Sequence, residues 1–228
     1  MVELWHGLLR AVELIITFDP EVMQIAGRSL RIALTSAVIA SVICIPVASI
    51  IHFNEFRGKR FLVSLIQTFY SIPTVAIGLF VFVFISSAGP LGFLGIIFTP
   101  AAIVVGQVLL ITPILLGLTI SALRGVDRTI LDTARSLGAS QMQMMVLTIR
   151  EARFAVMAAV IMGFGRAISE VGISLMIGGN IRGATRVITT AISLETSKGD
   201  LEFALALGII LIFIALVVNI VMNRIQQR

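Results

Sequence analysis

Apolar residues in this chain gather into long uncharged runs, with charged residues mostly confined to the short stretches between them. A helix needs about 20 apolar residues to cross the hydrocarbon core of a bilayer. Ile32–Asn54 holds no charged side chain besides His52 and predicts a span over about 30–51. Phe61–Leu123 runs for 63 residues without Asp, Glu, Lys, Arg or His. It is too long for one helix. Turn formers at Ser86-Ser87-Ala88-Gly89-Pro90-Leu91-Gly92 divide it into spans of about 61–85 and 100–123. A fourth run, about 154–177, is interrupted by Arg166 and Glu170, and a fifth covers about 203–223. Residues 4–18 are apolar at helical spacing but too short and too charged to span. They predict an outer interfacial helix ended by Asp19-Pro20, with packing on the other spans as the alternative. Residues 1–28 are thus an N-terminal helix and linker, and 29–228 a five-span, all-α membrane domain.

Composition agrees with the pattern. Apolar residues make up 58% of the 228 and charged residues 13%, against roughly 45–50% and about 25% in ordinary soluble domains. A soluble fold of this size could not hide so much apolar surface. The net charge of +5 comes mainly from Arg in short blocks between runs, which points to membrane topology and not to nucleic acid. Arg57, Lys59 and Arg60, then Arg124, Arg128, Arg135, Arg150 and Arg153, then Arg224 and Arg228, make ten of the 17 basic residues and fall on one side. That side is read as the cytoplasm, leaving the N-terminus, the 86–100 loop and residues 178–202 outside. Arg28 and Arg31 sit against this rule. No cleavable signal peptide is expected, and the single Cys44 allows no internal disulfide.

The segment 124–153 is far longer than two adjacent spans require. Asp127 suits an N-cap. Ile130, Leu131, Ala134 and Leu137 recur on one helix face, and Gly138 suits a left-handed turn after it. A second helix follows over Gln141–Ile149. Two readings stay open: the apolar ridge docks in a groove on another protein, or it packs under the chain's own spans.

Arg166 and Glu170 lie four residues apart and can pair on one helix face. Charges at membrane depth are costly and normally face a bundle interior or a cavity. They either line or gate a path, or lock the span to a neighbour. Outside, residues 177–186 offer glycine amides, Asn180, Arg182 and Arg186 to an anion, or form an ordinary loop that contacts a partner. Ser71, Pro73 and Thr74 could kink the second span. Gly163, Gly165 and Gly172, with Gly106 and Gly117, allow close helix contact, and a two-fold dimer would supply a second wall for a solute path. There is no GxxxxGK[ST] loop and no HExxH, so neither ATP hydrolysis nor zinc chemistry is expected of this chain, and no metal ligand set is seen.

Asp132-Thr133-Ala134, three residues, then Gly138 resembles the EAA motif of ABC importer permeases, with Asp in place of Glu and Thr in place of the first Ala. Arg166–Ile192 is similar to the matching stretch of molybdate and tungstate permeases. The Phe18-Asp19-Pro20-Glu21 and Leu194–Leu211 stretches look closer to the tungstate type. The resemblance implies a small five-span permease of the bacterial or archaeal inner membrane, working as a homodimer. It implies two ATP-binding subunits inside, which carry ATP and Mg, and an extracytoplasmic tungstate-binding protein outside. It assigns ATPase coupling to Asp127, Ile130, Leu131, Asp132, Ala134, Leu137 and Gly138. It carries Glu170-Val171-Gly172 as a recurrent motif at the inner helix of the path; together with the charges and the outer loop read above, the candidate path or gate residues are Arg166, Ser169, Glu170, Gly172, Asn180 and Arg186. Molybdate or sulfate is the neighbouring reading of the cargo. A secondary transporter or channel is the reading from another class.

Overall fold

The computed structural model describes residues 2–226, and Arg228 lies outside them. Eleven α-helices run in order: α1 (Val2–Ile16), α2 (Pro20–Phe53), α3 (Lys59–Thr68), α4 (Thr74–Ile85), α5 (Pro100–Arg124), α6 (Arg128–Ser136), α7 (Gln141–Glu151), α8 (Arg153–Ile168), α9 (Gly172–Gly178), α10 (Ile188–Lys198) and α11 (Leu201–Gln226). Three of these, α2, α5 and α11, are long and apolar enough to cross a membrane alone. The pairs α3–α4 and α8–α9 are bent by 100° and 57°. Counting each pair as one span brings the number to five.

The structure corrects the sequence boundaries in three places. The expected linker before the first span is helical. Asp19 accepts a hydrogen bond from Val22 N at 3.0 Å and Pro20 opens α2, which runs for 34 residues. An Asp-Pro pair that ends one helix also caps the next. The second span is not one rod: it breaks at Ile72-Pro73, where proline removes a helix hydrogen bond. The fourth breaks at Ser169–Val171, so Arg166 and Glu170 do not share a continuous helix.

Small residues of α2 and bulky residues of α5 form the centre. Ala33, Ala37, Ala40 and Cys44 meet Leu110, Ile111 and Leu115, with Phe164, Ile173 and Ile177 from α8 and α9. α1 packs along α11: Leu14 is buried with Leu207 and Ile210, while Trp5, Leu9 and Ile16 remain exposed. The helix therefore has apolar surface both against the bundle and away from it.

Most of the predicted contact glycines are used inside the chain. A Cβ at Gly106 would collide with Ile173 Cγ2 and lie 2.7 Å from Ile177 Cδ1, so α9 reaches α5 only because Gly106 is bare. Gly165, by contrast, has nothing within 4 Å. Gly106→Ala is expected to lower stability by about 1–3 kcal/mol through overpacking. Gly208→Ala, where nothing lies within 4 Å, is expected to leave it unchanged or raise it. Thermal melts in detergent would compare the two.

Candidate functional site

Where α8 stops, its last carbonyls need new donors. Gln107 of α5 supplies one. Its Nε2 donates to Ala167 O at 3.0 Å, and its Oε1 accepts from Ser36 of α2, also at 3.0 Å. α9 then begins with free amides, and the Glu170 carboxylate serves them. Oε1 accepts from Ile173 N at 3.1 Å, and Oε2 accepts from Arg166 Nη1 at 2.8 Å. The Glu170 side chain is 2% exposed and Arg166 36%, so the pair has a buried anionic end and an open cationic one. Thr189 Oγ1 donates to the Glu170 carbonyl at 2.9 Å, tying the break to α10. Ser169 is exposed beside it.

The two bent pairs meet at their breaks. A Cβ on Gly172 would lie 3.0 Å from Thr74 Oγ1 and 3.1 Å from Val75 Cγ2. Gly172 thus seats the start of α9 against the start of α4. Non-helical backbone at membrane depth is tolerated only where it is buried in protein or lines a cavity. Two such interruptions side by side, with one ion pair between helix ends, are the most distinctive geometry of the membrane region.

Asn180 and Arg186 lie elsewhere, in the loop between α9 and α10. No hydrogen bond or ion pair joins either to Arg166 or Glu170 among the described residues. The glycine-rich amides expected to be bare are occupied in part. Ala184, Thr185 and Arg186 all donate to Ile181 O, and Ile181 N donates to Thr185 Oγ1 at 2.9 Å. Asn180 adopts φ 50 and donates to Thr190 O at 3.2 Å. Its Oδ1 and the Arg186 Nε are buried and unpartnered. Glu21 binds Arg182 through both carboxylate oxygens, and these hydrogen bonds and its charge raise the Arg182 pKa; Glu21 also lies 3.7 Å from Arg186. Arg28 donates to Gly183 O at 2.8 Å and Arg186 O at 2.9 Å. Arg28 is thus held by the loop between α9 and α10.

On the opposite side, α6 forms as the sequence predicted. Asp127 Oδ1 accepts from Thr129 N at 2.9 Å, and this bond holds the carboxyl below the usual carboxylate range. The cap is complete at neutral pH and is lost as pH falls through that lowered pKa. Gly138 turns at φ 80, and Ser140 with Gln143 forms a capping box for α7. No residue of α6 is buried, and Leu137 is 84% exposed. Ile130 and Asp132 are also exposed, while Leu131 and Ala134 are half-buried. The ridge is therefore only partly covered by the chain itself, and its Leu137 end stands in solvent.

Sequence reasoning missed Gln107, Ser36, Thr189 and Glu21. Gln107 had one signal, as an amide in the middle of an otherwise apolar run. The rest become visible only as partners of groups that the breaks and the loop between α9 and α10 leave open.

With this geometry in place, comparison defines the class. Residues 41–228 match the family described as binding-protein-dependent transport system inner membrane component, and the chain belongs to it. The chain is 38% identical to the tungstate uptake system permease protein TupB of Peptoclostridium acidaminophilum over 97% of both chains. It is 36% identical to TupB of Campylobacter jejuni, covering 98% of this chain and 94% of that one. It is 35% identical to a probable anion ABC transporter permease protein of Haloferax volcanii, with 90% and 91% covered. In fold it is similar to the inward-facing MetNI methionine ABC transporter, at TM-score 0.74 and 17% identity over 92% of this chain and 97% of that one. The bacterial alginate ABC transporter in complex with its alginate-bound periplasmic protein gives TM-score 0.78 at 19% identity, with 100% and 87% covered.

Proposed function

We propose that the chain is the membrane-spanning subunit of an ATP-driven importer for tungstate. Two copies form the path, cytoplasmic ATPases attach through residues 127–138, and an extracytoplasmic binding protein delivers the anion. The observation that carries the coupling role is α6, a capped helix whose Leu137 is left in solvent by its own fold. An exposed leucine at a helix tip beside a rigid glycine turn is suited to a groove on a partner. The tungstate assignment is supported by the relatives named as tungstate permeases.

In the working cycle, closure of the ATPase dimer moves α6 and α7 as a unit. α7 leads almost directly into α8, so that motion reaches the break at Ser169–Val171. Arg166 and Glu170 hold the two ends of the break together in one state and act as the gate. ATP and Mg belong to the partner subunits. The N-terminus is outside and the C-terminus cytoplasmic, which places the Arg28, Arg182 and Arg186 cluster at the outer mouth. Mild affinity purification from native membranes tests the reading. Co-purification of a stoichiometric subunit with a phosphate-binding loop, and ATP-dependent tungstate uptake that molybdate and sulfate compete with more weakly, are expected. Recovery of this chain alone, with gradient-driven uptake in liposomes, would overturn it.

A further inference from the structure

Two stretches far apart in sequence, 52–60 and 123–135, converge on one cleft of about 650 Å³, at the ends of α2 and α5 beside α6. Lys59, Arg60, Arg124, Arg128 and Arg135 all line it, with Glu55 as its one carboxylate. Glu55 is taken: its Oε1 lies 2.8 Å from Lys59 Nζ, which also donates to His52 O at 2.9 Å. Arg135 faces Asp132 at 3.5 Å. Arg60, Arg124 and Arg128 make no ion pair among the described residues. The rule that gathers cations on one side of a membrane explains their number. It does not explain why separate segments fold them around a single cleft, where like charges repel.

We infer that this cleft binds a tetrahedral oxyanion of the phosphate class, with Arg60, Arg124 and Arg128 as its donors. Forked guanidinium donors match such an anion in geometry as well as charge. Phe53, Leu123 and Val126 line the same cleft and offer an apolar wall to whatever carries the anion. Basic pockets at the ends of membrane helices take phospholipid headgroups, and a free oxyanion presents the same chemistry. Because Arg124 ends α5 and Arg128 opens α6, one bound anion would bridge the membrane bundle to α6. The inference depends on neither the cargo nor the orientation of the chain.

The test compares Arg60→Gln/Arg124→Gln with Arg57→Gln/Arg150→Gln, which removes the same charge from residues that do not line the cleft. Each full-length assembly is purified from membranes in mild detergent. Retained phospholipid is counted by native mass spectrometry, and inorganic phosphate is titrated into delipidated protein. Wild type and control are expected to retain phosphatidylglycerol or cardiolipin, or to bind phosphate, and the cleft variant to lose about tenfold or more. Retained lipid without phosphate binding assigns the membrane as source, and phosphate binding without retained lipid assigns a soluble anion. Equal behaviour of cleft variant and control overturns the inference. So does loss of a protein companion from the cleft variant with both anion readouts unchanged. Wild-type protein that neither retains anionic lipid nor binds phosphate overturns it without any variant.

Discussion

Replacing Leu137 by aspartate is expected to detach the ATPase and abolish uptake while leaving the membrane bundle intact. The side chain is 84% exposed, and exposed substitutions away from special features usually change stability by less than about 0.5 kcal/mol. An apolar anchor in a desolvated groove is worth about 2 kcal/mol or more, and a carboxylate there adds a desolvation cost. The two quantities separate folding from docking. Thermal melts and detergent monodispersity should match wild type, while recovery of the companion subunit falls about 30-fold or more. Gly138→Leu should reach a similar outcome by another route. Nothing lies within 4 Å of its Cβ direction, so crowding plays no part. At φ 80 the added side chain instead costs about 1–2 kcal/mol of backbone strain and re-aims the end of α6. Full attachment and normal uptake by L137D would remove the docking role from α6.

The second large effect is expected at Glu170. Glu170→Ala leaves Arg166 without its carboxylate and Ile173 N without its acceptor, both at the break. Arg166 is 36% exposed and can turn to water, so the cost comes mainly from the orphaned Ile173 N and the space the side chain leaves, about 2–4 kcal/mol, and this variant should melt well below wild type. Glu170→Gln keeps an oxygen for Ile173 N and a polar partner for Arg166 while removing the charge. It should fold with a smaller loss of about 1–3 kcal/mol, yet lose coupled uptake out of proportion to that loss. A gate depends on the charge, whereas a purely structural pair depends on the hydrogen bonds. If E170Q transports normally at wild-type rates, the ion pair is scaffolding and the gate lies elsewhere.

Much of this molecule was legible because short-range chemistry decides it. Asp127 and Gly138 act within a turn of their own residues, and α6 appears where those signals put it, with α7 following at Gln141. Asp19-Pro20 shows how a correct local signal can be read in one direction only. It stops α1, and it also caps α2, which then starts ten residues before the predicted span. Pro73 marked a kink, but proline alone does not specify a 100° bend.

The break at Ser169–Val171 had no such mark. Arg166 and Glu170 at four-residue spacing fit an unbroken helix as well as a broken one. What selects the break is distributed. Gln107 of α5 binds the end of α8, Thr189 of α10 binds the Glu170 carbonyl, and Gly172 fits under Thr74 of α4. Gly172 adjoins the break, but Gln107, Thr74 and Thr189 all lie far from it in sequence.

The same division runs through the whole chain. By itself the sequence determined the membrane class, the run of apolar segments, the blocks of basic charge between them and the capped helix α6. These follow from hydrophobic length and from hydrogen bonds between near neighbours. Only the tertiary structure decided where two spans break, that Leu137 at the end of α6 stays in solvent, that Arg28 binds the loop between α9 and α10, and that separated arginines share one cleft. Those outcomes depend on which distant groups satisfy or repel one another once the helices pack, and no local pattern encodes them.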